Sequence, residues 1–208
     1  MRHIAVIDYG IGNLRSAQKG LQRVGADARL TADPAVIGSA ASVVLPGVGA
    51  FGACMAALEA TGLDAVAREA ASSPRPFLGI CVGMQLLFHG SEESPGVHGL
   101  GVLPGIVRRL PGGVKRPQMQ WNVLDKQRPS RLLGDALTDP MWVYFVHSYA
   151  ADPDEHTVAT CDYGRTFAAA IEHDSVYATQ FHPEKSGPTG LRILANFVRQ
   201  TDRAVEAV

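Results

Sequence analysis

The stretch PFLGICVGMQLLF, residues 76–88, places a cysteine between a strand pattern and a helix pattern. The apolar run PFLGI is bounded by turn-forming residues and is typical of a buried strand. Cys81 follows between Gly79 and Gly83, in a G-x-C-x-G pattern that is the cysteine counterpart of the G-x-S-x-G nucleophile elbow. We therefore expect a strained strand-to-helix turn that exposes Cys81 at the edge of a sheet. The alternative is a buried structural cysteine, although a core cysteine needs no such corner.

The helix expected after Cys81 favours a nucleophilic role. Its N-terminus would point at the sulfur and carry roughly half a positive charge, which stabilises a thiolate. Its free backbone N–H groups, beginning with that of Val82, can also bind an oxyanion.

Outward from this corner, the first half of the chain alternates strand and helix patterns. Strand patterns at residues 3–8, 27–31 and 42–46 precede PFLGI; one helix pattern follows the first of them and two follow the third. Asn13 is placed to cap the first helix. This β-α-β-α order predicts an α/β fold, with a mostly parallel sheet and helices on both faces.

The second half consists mainly of strand patterns separated by turn signals, which predict antiparallel additions and a return to the main sheet. A last helix has apolar residues at helical spacing and should dock on the sheet through Leu191, Leu194, Ala195 and Val198. No shift in composition marks a boundary. We expect a single domain over residues 1–201 and a frayed tail over 202–208.

Composition and charge exclude several classes of function. The chain has 208 residues, 46% hydrophobic and 19% charged, with a formal net charge of −1. No global field therefore favours nucleic acid, and no apolar run approaches the roughly 18 residues of a membrane-spanning helix. The three cysteines form no C-x-x-C pair, so no metal site is predicted. We expect a reduced, soluble, cytoplasmic protein in which Cys54 and Cys161 serve packing.

A nucleophilic cysteine needs a base, and one of the seven histidines has distinctive surroundings. In YATQFHPEKS, residues 177–186, a strand pattern ends at Phe181 and His182 follows. Pro183 favours extended geometry, which would put His182 and Glu184 on one face so that the carboxylate orients the imidazole. The carboxyl ends of parallel strands share an edge, where Cys81 and His182 can meet. The alternative is an ordinary loop after a strand.

Together, GICVGMQLL and TQFHPEKS resemble the class I, triad-type glutamine amidotransferases. The resemblance narrows to the glutaminase subunits of imidazole glycerol phosphate synthase through DYGIGNLRS (8–16), LPGVGAFG (45–52), YFVHSY (144–149) and GLRILANF (190–197). It implies a flavodoxin-like open sheet and no cofactor. It also implies that glutamine is hydrolysed to glutamate and ammonia, with the ammonia passing to a separate (β/α)8 cyclase subunit. That partner makes imidazole glycerol phosphate and aminoimidazole carboxamide ribonucleotide in histidine biosynthesis.

The same resemblance implies roles for individual residues. Cys81 would form a thioester, His182 would transfer protons and Glu184 would hold His182. Backbone N–H groups near Val48 and Gly49, with that of Val82, would bind the oxyanion. The remaining implied residues are Gly47, Gln85, Ser148 and Tyr149 for the substrate, and Asn13, Trp121, Asn122 and Lys185 for the partner interface. The His147 side chain either has a role in the site or is simply solvated at the end of a strand.

The chain departs from the family in PQMQWN, residues 117–122, where many members have P-H-M-G-W-N. Gln118 replaces a histidine and Gln120 a glycine, so the local backbone and the docking geometry can differ. The nearby basic residues, Arg108, Arg109, Lys115 and Arg116, read as a solvated hairpin or as a surface for an acidic patch on the partner.

Three competing functions remain at this level. A stand-alone hydrolase, such as a γ-glutamyl hydrolase, would share the elbow but need no partner. A non-catalytic scaffold should have lost part of the triad, and all three residues are present. A glutaminase subunit serving another synthase is the nearest alternative.

Overall fold

The computed structural model describes residues 3–134 and 140–206 and has a nine-stranded sheet as its framework. Five strands lie in the first half of the chain: β1 (Ile4–Ile7), β2 (Ala28–Thr31), β3 (Ser42–Gly47), β4 (Phe77–Cys81) and β5 (Gly90–Ser91). The later strands are β6 (Ile106–Arg109), β7 (Gln118–Lys126), β8 (Met141–His147), β9 (Tyr149–Ala151), β10 (Thr157–Asp162), β11 (Thr166–His173) and β12 (Val176–Thr179). The helices are α1 (Leu14–Arg23), α2 (Pro34–Ser39), α3 (Phe51–Ala60), α4 (Leu63–Ala71), α5 (Val82–Gln85) and α6 (Gly187–Glu206).

The first part of the sheet is parallel, as the sequence predicts. Its strands run in the order β2-β1-β3-β4-β12, each parallel to its neighbour. The central strands are buried on both faces, which explains their continuous apolar runs. One helix layer contains α1 and α6 in mutual contact, and another contains α2, α3 and α4. The α/β class with a mostly parallel sheet is confirmed.

The second half supplies the predicted antiparallel additions. β11, β10, β7 and β8 extend the sheet beyond β12, each antiparallel to its neighbour. A small second sheet contains β5, β6 and β9. Because β12 returns to pair with β4, the carboxyl ends of β3, β4 and β12 lie side by side. This edge is where an open α/β sheet places its ligands.

The last helix differs from its prediction in face and in length. Its most buried large side chains are Ile193, Leu194 and Phe197, whereas Leu191, Ala195 and Val198 are only partly buried. The docking face is rotated because Phe197 packs edge-on against Tyr177 of β12. Residues 207–208 lie outside the described residues.

The helix also continues through most of the segment expected to fray. It reaches Glu206, well beyond residue 201. Thr201 Oγ1 donates a hydrogen bond to Ser42 Oγ at 2.9 Å, which ties the helix to β3 just before that segment. The short helix α2 was not predicted.

Within the described ranges, no helix is long and apolar enough to cross a membrane. In the same ranges, no group of three or more histidine, cysteine, aspartate or glutamate side chains is arranged to hold a metal ion.

Candidate active site

Cys81 ends β4 at a strained corner. Its backbone angles, φ 55° and ψ −112°, are unusual for a residue with a side chain. Such a conformation costs roughly 1–3 kcal/mol, which the surrounding structure must offset. A Cβ atom at Gly83 would collide with the carbonyl oxygen of Leu45, and one at Gly79 would lie 2.9 Å from the carbonyl oxygen of Gly83. The glycines of the motif therefore allow β3, β4 and α5 to approach closely at the turn.

The structure has the expected helix after Cys81, although the helix is short, and it differs from the prediction in the exposure of Cys81. The helix that follows is only four residues long, Val82–Gln85, so few peptide dipoles are aligned toward the sulfur. Cys81 is also buried rather than exposed at the sheet edge. The immediate surroundings of the sulfur are therefore protein side chains rather than solvent.

His182 and Glu184 form a buried pair at the end of the neighbouring strand. His182 Nδ1 lies 2.8 Å from Glu184 Oε1, and the two side chains are only 1% and 2% exposed. The predicted proximity is present, but extended geometry is not its cause. His182 is extended, whereas Pro183–Lys185 forms a 3-10 turn that folds Glu184 back toward the ring.

The charge of His182 results from opposing effects. Burial lowers its pKa, but interactions with Cys81 and Glu184 outweigh burial and raise the pKa to about 9. Apart from this interaction with Cys81, His182 Nε2 is buried without a hydrogen-bond partner among the described residues. The site therefore favours the protonated form of His182.

Two glutamines link Cys81 to the backbone at the start of β9. Gln180 Nε2 lies 3.8 Å from Cys81 Sγ, and Gln180 Oε1 accepts a hydrogen bond from Gln85 Nε2 at 3.0 Å. Gln85 also donates to the carbonyl oxygen of Tyr149 at 2.9 Å. Sequence reasoning assigned Gln85 to the site but missed Gln180, although Gln180 lies in the same TQFHPE motif as His182.

Cys81, Gln85 and His182 face a cavity of 210 Å³, which is smaller than the roughly 300–1,000 Å³ of drug-sized pockets and suits a ligand the size of an amino acid. Its wall combines eight of the predicted catalytic, oxyanion and substrate residues with four others, whereas the predicted Glu184 and Gly47 do not line it. The lining residues are Val48, Gly49, Cys81, Val82, Gln85, Glu93, Pro117, Val146, His147, Ser148, Tyr149 and His182. Glu93 is the acidic residue of the set, and its Oε2 also accepts from the Phe51 N–H at the start of α3.

The loop after β3 forms one side of the cavity. Val48 and Gly49 line it, and Gly49 has a φ of 95°, a backbone conformation that favours glycine. Gly47, expected to contact the substrate, lies behind this wall. A Cβ atom there would be 2.7 Å from the Gly83 nitrogen, so Gly47 is needed for close packing against α5.

Comparisons with known proteins identify the family of the chain. A family model described as glutamine amidotransferase class-I matches residues 5–201. A protein of Syntrophotalea carbinolica named imidazole glycerol phosphate synthase subunit HisH is 53% identical over 203 residues, covering 93% of this chain and 98% of the relative. The protein of the same name in Methanothermobacter thermautotrophicus is 52% identical over 196 residues, covering 94% of this chain and 97% of the relative. The chain belongs to the HisH family of class-I glutamine amidotransferases.

The family assignment makes the chain an enzyme of the glutamine amidotransferase type in histidine biosynthesis. The solved structure of PurLQS from Thermotoga maritima has the same fold, with a TM-score of 0.75, and the match covers 96% of this chain and 99% of that one. Its sequence identity is only 18%, so it supports the fold alone.

His147 of this HisH-family chain is not a solvated histidine. It is buried, and its Nδ1 lies 2.9 Å from the carbonyl oxygen of Tyr149, to which Nδ1–H must donate because a carbonyl only accepts. Burial lowers the pKa of His147 to about 4. The ring is therefore neutral at physiological pH and supports the backbone of Ser148 and Tyr149 along the cavity.

Asn13 precedes α1, but its side chain makes no cap hydrogen bond. Asn13 Nδ2 instead donates to Glu184 Oε1 at 3.3 Å. The predicted side-chain cap is therefore wrong, because the amide is engaged by a residue 171 positions away. Asn13 is linked through Glu184 to His182.

The other residues predicted for the interface lie at the surface or close to it. Trp121 is 48% exposed, and Lys185 is exposed next to Glu184. Asn122 is partly buried, and its Nδ2 donates to the carbonyl oxygen of Asp162 at 3.1 Å.

The two departures from the family motif have different environments. Gln120 lies in regular β7 opposite Phe145 and needs no positive φ. Gln118 is buried, and neither its Oε1 nor its Nε2 has a hydrogen-bond partner among the described residues.

Among the nearby basic residues, Arg108 is paired within the chain, at 3.3 Å from Glu92 and 2.8 Å from Asp152.

Proposed function

We propose that this chain hydrolyses glutamine to glutamate and ammonia with Cys81, His182 and Glu184 as its triad, and delivers the ammonia to a cyclase subunit. One observation carries the proposal. His182, joined to the buried Glu184 at 2.8 Å, lines with Cys81 a single cavity of amino-acid size. A nucleophile, a base and a residue that orients the base are thus available to one small ligand.

In the first half of the reaction, the Cys81 thiolate attacks the side-chain amide carbon of glutamine. A carbon–sulfur bond forms, and the carbonyl oxygen becomes an oxyanion facing the N–H groups of Val48, Gly49 and Val82. His182, protonated at the start, gives its proton to the leaving nitrogen as the carbon–nitrogen bond breaks. Ammonia leaves, and a γ-glutamyl thioester remains on Cys81.

In the second half, the now neutral His182 takes a proton from water, whose oxygen attacks the thioester carbon. The carbon–sulfur bond breaks, glutamate forms, and the thiolate returns beside an imidazolium. Glu184 stabilises this imidazolium through Nδ1, and Asn13 holds Glu184 in place by donating to the same oxygen.

The amino-acid end of glutamine lies further along the same cavity in this proposal. Glu93 provides a carboxylate for the α-ammonium group, and it is the acidic residue of the wall. Gln85 and the backbone of Ser148 and Tyr149 provide polar contacts on the opposite side. The buried ring of His147 supports that backbone.

The proposed partner is the (β/α)8 cyclase subunit of imidazole glycerol phosphate synthase, because the relatives are named as subunits of that enzyme. We assign its docking to an apolar surface of β7 and β8, called the outer hairpin face. Cross-strand pairs place its residues on one side: Met119 with Val146, Trp121 with Tyr144, and Val123 with Trp142. Val146 also lines the cavity, so this face leads from the surface to the site of chemistry. Asn13, Asn122 and Lys185 are proposed as polar contacts around it.

We further propose that residues 1–201 act as one amidotransferase domain in the cytoplasm. The match to the family model from residue 5 to residue 201 supports the first point. The three free, buried cysteines support the second, because disulfides are rare in a reducing compartment.

Glutamate release from glutamine tests the proposal, measured with this chain alone, with the cyclase subunit of the same organism, and with that subunit and its ribulosyl nucleotide substrate. We expect a slow basal rate that rises strongly only when both are present. A full rate from the chain alone would favour the stand-alone hydrolase. No release in any mixture, but release with a different synthase, would favour the other glutaminase subunit.

A further inference from the structure

Two buried side chains behind the cavity wall hold the loop that follows β3. Tyr9 Oη donates to the carbonyl oxygen of Pro46 at 2.8 Å, and Cys54 Sγ donates to the carbonyl oxygen of Val48 at 3.4 Å. Tyr9 lies in the turn after β1, and Cys54 lies on α3, so the two contacts come from separate elements. Both residues belong to the hydrophobic core.

These hydrogen bonds determine the direction of the loop's N–H groups. In a trans peptide the C=O and the N–H point in opposite directions. Because the Val48 carbonyl points into the core at Cys54, the Gly49 N–H points away from the core. Tyr9 likewise fixes the peptide between Pro46 and Gly47. The peptide that carries the Val48 N–H thus lies between two peptides held by side chains.

Packing adds to the hydrogen bonds. A Cβ atom at Gly47 would lie 3.0 Å from Tyr9 Oη and 3.0 Å from Val82 Cβ. The phenol and the first residue of α5 therefore approach the loop backbone within van der Waals range. A shift of the loop toward the core would meet one of them.

Both donors keep their protons. Burial raises the pKa of the Tyr9 phenol well above its usual range, with further contributions from Cys54 and Cys81. Burial also raises the pKa of the Cys54 thiol. A hydroxyl and a thiol that stay neutral can donate to carbonyl oxygens throughout the pH range in which the triad works.

We propose that Tyr9 and Cys54 are positioning residues, which together hold the loop of Pro46–Gly49 in the geometry that binds the oxyanion. This rests on the proposed glutaminase function. Packing alone would be satisfied by phenylalanine at position 9 and by alanine or valine at position 54. The polar atoms are explained by the two carbonyl oxygens that they hold.

The test uses Tyr9→Phe and Cys54→Ala in the complex with the cyclase subunit, measuring kcat and KM for glutamine. Removing an oxyanion donor outright costs about 10²–10³-fold in kcat, so losing a group that positions one should cost on the order of 10-fold. KM should change by less than about twofold, because an oxyanion exists only in the transition state and the intermediate. Cys54→Ser keeps a donor and should lose less than Cys54→Ala.

A second readout separates positioning from general damage. Alkylation of Cys81 by iodoacetamide builds no oxyanion, so its rate, mapped to Cys81 by mass spectrometry, should stay within about twofold in all variants. The matched controls are Tyr177→Phe and Cys161→Ala, which make the same chemical changes at buried positions away from the loop. Both should keep the kcat of the unmodified chain.

Three outcomes would overturn the positioning role of Tyr9 and Cys54. In the first, kcat is unchanged in both Tyr9→Phe and Cys54→Ala. In the second, Cys81 alkylation slows in parallel with kcat, which would indicate a distorted elbow. In the third, the controls lose as much as the test variants. An unmodified complex without any glutamate release would instead remove the proposed function itself.

Discussion

At the carboxyl ends of β3, β4 and β12, polar side chains are buried and joined to one another, whereas the outer strands β7 and β8 expose apolar side chains. In the first region, Glu184, His182, Gln180 and Gln85 are all withdrawn from solvent and contact each other or Cys81. In the second, Met119, Trp121 and Trp142 are 62%, 48% and 52% exposed. The proposed catalytic side chains are thus already in contact within the chain, while the outer hairpin face has the character of a surface that another protein completes.

The largest effect is expected for Cys81→Ala, which removes the nucleophile from the buried region. Glutamate release should fall to the background of the assay, with or without the partner, because no thioester can form. The side chain is small and already buried, so the far-ultraviolet circular dichroism and the midpoint of thermal unfolding should remain close to those of the unmodified chain. Glutaminase activity retained in this variant would remove the proposed mechanism.

The next effect separates the base from the residue that orients it. His182→Ala removes the proton carrier and should lower kcat on the order of 10³–10⁴-fold. Glu184→Gln keeps an oxygen that can accept from His182 Nδ1 and from Asn13, so a smaller loss than that of His182→Ala is expected. Both variants should be measured at saturating glutamine. Equal losses would mean that orientation and charge at Glu184 matter as much as the base itself.

Much of the buried region follows from local sequence patterns. The parts that local patterns fail to predict are those that depend on distant residues. Patterns of a few residues predict the strands and the close turn at the two glycines around Cys81. The H-P-E segment predicts that His182 and Glu184 are close, but not the 3-10 turn that brings them together. Two hydrogen bonds join residues far apart in the sequence, so no local pattern predicts them. They are those from Asn13 to Glu184 and from Tyr9 to the carbonyl oxygen of Pro46. The short length of α5 likewise depends on packing beneath the elbow, since VGMQLLF has an ordinary helical pattern.

His147 lies where the two regions meet, and it should make stability depend on pH. Its pKa is lowered in the folded chain from 6.5 to about 4, so between these values the unfolded chain binds more protons. The stability contributed by the neutral ring is therefore present above about pH 6.5 and is lost as the pH falls toward 4. The whole effect amounts to about 3 kcal/mol, at roughly 1.4 kcal/mol per pKa unit.

The measurement is the free energy of unfolding by urea at pH 7 and at pH 4.5, for the unmodified chain and for His147→Gln. Glutamine can still donate to the Tyr149 carbonyl but does not titrate. We expect the variant to lose less stability on acidification than the unmodified chain, because the buried imidazole no longer resists protonation. Identical losses in the two proteins would show that His147 is not the group responsible.

The smallest effect is expected from two tryptophans on the outer hairpin face. Trp121 and Trp142 are similarly exposed, but Trp121 lies opposite Tyr144, nearer to the cavity-lining Val146, and Trp142 lies at the far end of β8. If docking centres on the mouth of the cavity, Trp121→Ala should weaken binding of the cyclase subunit by about 10–100-fold, as for an aromatic hot spot. Trp142→Ala should weaken it by less than about threefold. The dissociation constants of both variants are measured by titration calorimetry. Equal losses of affinity would mean that the interface covers the whole outer hairpin face rather than centring on the mouth of the cavity.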